Sequence, residues 1–107
     1  MREVLEAEVS FLDPESGGRQ EPPILVGYRP TCSIEGYPAN EHVGISFQDG
    51  PSEWPGWGVP FKSIVTLLFY PHAWYERLSV GSHFNIREGE RVVGRGRVLS
   101  QHRSEVA

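Results

Sequence analysis

Apolar and polar residues alternate at the start of the chain, in residues 4–12. Every second side chain there is apolar: Leu5, Ala7, Val9 and Phe11. The positions between them are occupied by glutamate and serine. Because successive side chains of a strand point to opposite faces, a period of two predicts a half-buried β-strand.

Five further segments have the length and composition of strands, and prolines, glycines or charged residues separate them. They are residues 24–34, 41–47, 63–70, 83–87 and 91–100. Within the first of these, Gly27 predicts a bulge or a close backbone approach, and Pro30 predicts an edge or interrupted position. Residues 72–82 fit either a turn of helix or a loop.

In residues 91–100, small residues alternate with arginines. One face is predicted to hold Val92, Gly94, Gly96 and Val98. The other is predicted to hold Arg91, Val93, Arg95, Arg97 and Leu99. The glycines fit a tight barrel interior. About six strands without a long helix predict an all-β chain, closed as a barrel or stacked as a sandwich, since closure removes exposed edges.

Composition narrows the class of protein. A chain of 107 residues with 38% hydrophobic and 22% charged residues is expected to form one globular domain over 1–107, with a frayed tail from about 101. The formal net charge of −4 counts against a domain that coats nucleic acid. A lone cysteine, Cys32, is typical of a reducing compartment, so we expect a cytoplasmic protein. No apolar run reaches about 18 residues, so no membrane association is expected.

Residues that carry catalysis or hold cofactors do not form a recognisable constellation. The chain has no phosphate-binding loop of the G-x-x-x-x-G-K-S/T type and no G-x-S-x-G motif. The histidines do not pair at metal-ligand spacing, and Cys32 is expected to pack rather than to act as a nucleophile. The histidines are His42, His72, His83 and His102. We therefore expect no enzyme, no metal and no cofactor.

Several separated motifs occur in an order that resembles a known family. They are "EAEV" (6–9), "GGR" (17–19), "GYRP" (27–30), "VTL" (65–67) and "FNIREGERVVGRGRVLS" (84–100). This series strongly resembles the third, C-terminal domain of translation elongation factor Tu. The resemblance implies a six-stranded antiparallel closed β-barrel. GTP hydrolysis is not expected, because the chain has no counterpart of the family's GTPase domain. The barrel is therefore expected to be free-standing.

The chain departs from the family where the family contacts tRNA. Thr31 replaces a common glutamine, and Glu35 stands where an arginine is typical. Glu90 replaces the second glycine of the hairpin turn, which lets the family's backbone approach ribose and phosphate. The middle of the chain, residues 35–61, does not match the family's threonine-rich segment.

The resemblance places residues 17–30 near the surfaces that meet the GTP-binding domain or the aminoacyl-tRNA. Arg19 is expected either to contact a partner or to satisfy turn carbonyls and acidic neighbours such as Glu15 or Glu21. For Arg29, structural bracing is favoured over a contact role. Glu88 matches a family tRNA contact, although a plain hairpin-turn role is favoured here.

Together with Glu88, the candidate contacts at this hairpin are Arg87, Gly89 and Arg91. With Arg95 and Arg97, the arginines of this hairpin form a basic stripe. Nucleic acid binding would use such a stripe. A solvated or ion-paired outer face is favoured, given the net charge.

The loop "EWPGWG" (53–58) is not explained by the resemblance. Trp54 and Trp57 are expected either to form an exposed aromatic pad, which suits a protein interface, or to fold back and plug one end of the barrel. The plug is favoured.

These features predict a non-catalytic binding module derived from the elongation factor Tu barrel, with an unidentified protein partner and a link to translation. The alternative is an RNA- or tRNA-binding module that uses the arginine-rich hairpin and residues 17–30. An enzyme that uses the barrel mouth and a relic without a role are less favoured. The sequence leaves the partner and the oligomeric state open.

Overall fold

The computed structural model describes residues 2–38, 40–68, 75 and 77–104. The chain is an all-β closed barrel, and all its strand pairings are antiparallel. Its strands are β1 (Arg2–Phe11), β2 (Thr31–Ile34), β3 (Val43–Phe47), β4 (Phe61–Leu67), β5 (His83–Glu88) and β6 (Arg91–Ser104). A 3-10 turn, Pro14–Ser16, follows β1. The order around the barrel is β1-β4-β3-β2-β5-β6, and β6 closes on β1. The predicted six-stranded antiparallel barrel is confirmed.

The buried face of β1 is the face that its period of two predicts. Leu5, Ala7, Val9 and Phe11 are each 1% exposed or less. They meet inward-facing aliphatic and aromatic side chains from every other strand, among them Ile34, Phe47, Val65, Phe84 and Val98. Full burial of one such large side chain contributes about 1.5–3 kcal/mol, so this interior is the main source of stability.

The interior of β6 differs from the prediction near the start of the strand, where Val92 is only half-buried. Gly94, Gly96 and Val98 are buried and Arg95 and Arg97 are exposed, as expected. Val93 was predicted to lie outside, but it is fully buried. Ile86 pairs with Gly94 while Arg87 pairs with Val92, so Val93 is an extra residue at a β-bulge. The bulge shifts the alternation by one position.

Gly96 is required by what lies beneath it. A Cβ atom at this position would overlap the ring of Phe84, which faces Gly96 across the β5–β6 pair. The predicted role of the β6 glycines in a tight interior is therefore confirmed. The ring occupies the space that any larger residue at position 96 would need.

The second predicted strand is much shorter than expected. Residues 24–34 were predicted to form one strand with irregularities at Gly27 and Pro30, but β2 begins only at Thr31. Tyr28 N donates to the Leu25 carbonyl, closing a turn, and Gly27 adopts φ +85° within it. Gly27 N also donates to the Phe47 carbonyl, while Phe47 N donates to the Tyr28 carbonyl. Gly27 and Tyr28 thus face a single residue of β3, so the bulge predicted at Gly27 is confirmed. Pro30 interrupts the segment as predicted, and β2 starts directly after it.

The tail was predicted to fray from about 101, but β6 continues to Ser104, which pairs with Arg2 of β1. Residues 105–107 lie outside the described residues. The segment 72–82, predicted as helix turn or loop, is described only at 75 and 77–82. In the described part of the chain, no helix has the length and apolarity needed to cross a membrane.

Candidate binding surface

The loop that follows β1 brings Arg19 to the β5–β6 hairpin. The Arg19 guanidinium forms an ion pair with the Glu88 carboxylate. Its Nε also donates to the Glu21 carbonyl oxygen at 3.0 Å. Arg19 was predicted either to contact a partner or to satisfy local carbonyls and neighbouring acids. The turn carbonyl is confirmed, but the acidic partner is Glu88 and not the nearby Glu15 or Glu21.

Tyr28 completes this cluster, although it was not predicted as a site residue. Its hydroxyl donates to Glu88 Oε2 at 2.6 Å, and the Arg19 guanidinium lies 5.5 Å from the centre of its ring. The Arg19 and Glu88 side chains are only 29% and 27% exposed. We call Arg19, Tyr28 and Glu88 the Glu88 cluster.

The pKa shifts in the Glu88 cluster follow from these contacts. Partial burial would raise the pKa of Glu88, but hydrogen bonds from Tyr28 and Arg19 outweigh it and lower that pKa below its ordinary value. Burial would likewise lower the pKa of Arg19, yet Glu88 raises it. Burial, and then the bond to Glu88, raise the pKa of the Tyr28 phenol. The carboxylate and the guanidinium therefore neutralise each other.

The other hairpin residues have mostly structural partners. Arg87 Nε donates to Ser33 Oγ at 2.7 Å, and its Nη1 donates to the Glu90 carbonyl at 2.9 Å. Gly89 forms the turn between β5 and β6. Arg91 Nη2 lies 3.9 Å from Glu88 Oε1. Glu88 therefore does more than form a turn, because its carboxylate contacts Arg19, Tyr28 and Arg91.

The other candidate arginines, Arg29, Arg95 and Arg97, are exposed. Arg29 is exposed, and its side chain makes no hydrogen bond or ion pair with the residues that the structure describes. Arg29 was expected to brace the structure, but in the described part of the chain it has no partner to hold, so that prediction is wrong there. Arg95 and Arg97 are exposed on the outer face of β6, where Arg97 Nη2 lies 3.9 Å from Glu8 Oε1. This face matches the solvated and partly ion-paired stripe favoured above.

Trp54 and Trp57 fold back toward the barrel. Their ring centroids lie 5.1 Å apart in an edge-to-face arrangement, and Trp54 lies 6.0 Å from Phe11 and 6.4 Å from Phe61. Both indoles are half-buried and pack against the core. The rings therefore do not form a fully exposed pad, and they fold back onto the core as the favoured interpretation expected. The Phe11 ring lies 6.0 Å from the rings of both Trp54 and Tyr28, so the tryptophan pair and the Glu88 cluster pack on the same core residue.

A groove of apolar residues lies beside Trp54, and none of its other members was predicted as a site residue. Ile24 and Val26 are 87% and 71% exposed, which is unusual for aliphatic side chains. The groove has a volume of about 200 Å³. We call it the apolar groove; its lining is Pro22, Pro23, Ile24, Leu25, Val26, Gly50, Pro51 and Trp54.

Local chemistry explains why the apolar groove forms. Pro22 and Pro23 have no backbone N–H to donate to a sheet ladder. Pro23 and Leu25 turn inward and are buried, so Ile24 and Val26, which alternate with them, face solvent. A Cβ atom at Gly50 would overlap the end of Leu25, so a glycine lets the 48–54 loop lie against this segment.

A usable signal for the apolar groove was present in the sequence. Two prolines directly precede Ile24, and a glycine follows Val26, so "PPILVG" (22–27) is poorly suited to a central strand. Because such a segment does not form a central strand, Ile24 and Val26 have no side chains of neighbouring strands to cover them.

Within the described residues, no group of three or more His, Cys, Asp or Glu side chains is arranged to hold a metal ion. Compared with known proteins, the sequence matches no protein-family model and no curated protein.

Proposed function

We propose that the chain is a non-catalytic binding module, that its partner is a protein, and that the partner docks on the apolar groove. One observation carries this proposal: Ile24 and Val26 are 87% and 71% exposed beside a half-buried tryptophan. Covering one such aliphatic side chain is worth up to about 1.5–3 kcal/mol. Partly buried aromatic side chains such as Trp54 are also frequent energetic centres of protein interfaces.

The resemblance to the third domain of elongation factor Tu supports a derived role. The motifs "GGR" and "GYRP" frame the segment that carries Ile24 and Val26. On that basis we propose a module derived from this barrel, acting in the cytoplasm with a partner linked to translation. A closed barrel suits such a role, because it has no free strand edge and presents side chains on a rigid frame.

The RNA-binding alternative has weaker support. Arg19 and Glu88, two of its candidate contacts, are paired with each other, and Arg87 is hydrogen-bonded within the barrel. Glu90 is exposed in the same turn, where it would face a phosphate backbone. Like charges at such a distance repel by roughly 1 kcal/mol before salt screening.

Affinity capture with matched variants tests the proposal. The bait is the full chain, the double variant Ile24→Ser/Val26→Ser, or Val80→Ser, a control that removes an aliphatic residue 63% exposed outside the groove lining. Extract from cells that express the protein is passed over each. We expect the wild type and Val80→Ser to retain one protein in near-stoichiometric amount and the double variant to lose it. Equal retention by all three, or by none, would contradict the proposal.

A filter-binding titration separates the RNA alternative. Aminoacyl-tRNA and duplex RNA are titrated at low salt and at about 0.15 M salt. We expect no binding up to tens of micromolar protein, at either salt concentration. Binding that weakens steeply with salt would favour the RNA module instead, because phosphate contacts release counterions.

A further inference from the structure

Carboxylates stand next to the lining of the apolar groove. Glu21 directly precedes Pro22, Asp49 precedes Gly50, and Glu53 precedes Trp54. All three are exposed. The two segments that build the groove, residues 20–26 and 48–54, contain these three acids and no lysine or arginine. We call Glu21, Asp49 and Glu53 the acidic rim.

No cation of the described residues forms a salt bridge with the acidic rim. Asp49 Oδ1 accepts from Ile64 N at 2.7 Å and from Ser63 Oγ at 3.3 Å, but both donors are neutral. Arg19 reaches only the backbone carbonyl of Glu21, and its charge is matched by Glu88. The rim therefore places exposed negative charge directly beside residues that line the apolar groove.

Resting on the proposed function, we propose that the partner presents a basic segment with an apolar anchor. An aliphatic or aromatic side chain of the partner enters the apolar groove beside Trp54. Lysine or arginine residues that flank this anchor face the acidic rim. Such charge complementarity raises the association rate and selects against acidic competitors more than it adds affinity.

A second copy of this chain fits the groove less well. In a two-fold dimer the same patch faces itself, so each acidic rim would approach an identical acidic rim. The net charge of −4 adds to this repulsion. The rim also disfavours a phosphate-bearing partner for the same electrostatic reason.

Peptide selection tests the inference. A phage-displayed library of random peptides is selected on the immobilised full chain, and enriched sequences are made synthetically with a fluorophore. We expect enriched peptides to hold an apolar centre with Lys or Arg on its flanks. By fluorescence anisotropy, replacing those basic residues with Glu is expected to weaken binding by about tenfold or more, and raising the salt to about 0.3 M to weaken it several-fold.

Variants of this chain then test which of its carboxylates contact the basic peptide. Glu21→Gln/Glu53→Gln is expected to weaken binding of the basic peptide several-fold, while Glu15→Gln, an exposed acid outside the acidic rim, leaves it unchanged. Asp49 is left intact because it holds the Ile64 amide of β4. Equal loss with both variants, or no loss with either, overturns the inference.

The outcomes separate this inference from the proposed function. Peptides that need Ile24 and Val26 but carry no basic flank would overturn the basic partner and leave the protein-binding groove standing. Selected peptides that bind the Ile24→Ser/Val26→Ser variant unchanged, or no enrichment at all, would count against both. Concentration-dependent dimerisation in sedimentation equilibrium that this variant abolishes would assign the groove to a second copy and overturn the inference.

Discussion

Arg19 and Glu88 are 69 positions apart in the sequence, and they form an ion pair that ties the loop after β1 to the β5–β6 hairpin. Tyr28 donates to the same carboxylate, so a third segment is held at this point. Arg19 precedes and Tyr28 follows residues 22–26, the segment of the apolar groove that contains the two prolines. The Glu88 cluster therefore fixes both ends of the segment that presents Ile24 and Val26.

Removing the charge of Glu88 should destabilise the barrel. Gln keeps the shape of the side chain but loses the charge-assisted bonds to Arg19 and Tyr28. We expect Glu88→Gln to lower the free energy of unfolding by about 1–2 kcal/mol in urea denaturation. The matched control is Glu90→Gln in the same turn, for which a change within about 0.5 kcal/mol is expected. Equal effects of the two variants would mean that the cluster contributes nothing.

The contribution of Glu88 should depend on pH in a defined direction. Because its pKa is lowered in the folded protein, its stabilisation is fully present above the ordinary carboxyl pKa of about 4.3 and is lost as the pH falls through the lower folded value. The difference in unfolding free energy between wild type and Glu88→Gln should therefore be constant from about pH 7 to pH 5 and shrink below about pH 4. A difference that grows on acidification would contradict the assigned charge state.

A methyl group at position 96 should disturb the core. The added Cβ overlaps the Phe84 ring, so we expect Gly96→Ala to cost about 1–3 kcal/mol in unfolding free energy. The neighbouring exposed change, Arg95→Ala, should stay within about 0.5 kcal/mol. If Phe84 is the cause, Phe84→Leu combined with Gly96→Ala should cost less than the sum of the two single changes. Strict additivity would place the strain elsewhere.

Cys32 should report on opening of the barrel. Burial raises the pKa of its thiol to about 12, and the side chain lies in the core. A thiol reagent that attacks the thiolate should therefore label the native protein very slowly at about pH 8 and label it at once after unfolding in denaturant. Rapid native labelling would show that β2 opens independently of the rest.

Much of the barrel could be predicted because its causes are local. The alternation in β1 and the glycines of β6 both follow from how strand side chains alternate and fill a small interior. Val93 could not be placed, because its burial depends on a bulge that exists only when β5 and β6 pair. The predicted length of β2 was wrong because the apolar side chains of residues 24–26 were given more weight than the two prolines in front of them.

The site was predicted only in parts. Arg19 and Glu88 were both singled out, but local proximity suggested Glu15 or Glu21 as the partner, since no sequence spacing points to a contact across the barrel. Ile24 and Val26 were overlooked, because a strand prediction assigns such residues to a sheet face. Their exposure results from a turn at Gly27 and an inward Leu25, which only the folded chain defines.

The central claim is that a protein partner covers the apolar groove. The most direct measurement is a titration of the isotope-labelled full chain with the protein retained by the wild-type bait, followed by amide chemical-shift mapping. We expect the largest changes at the amides of 24–26 and 50–54 and little change at Arg95 and Arg97. Changes concentrated on the β6 arginines, with the groove amides unmoved, would contradict the claim.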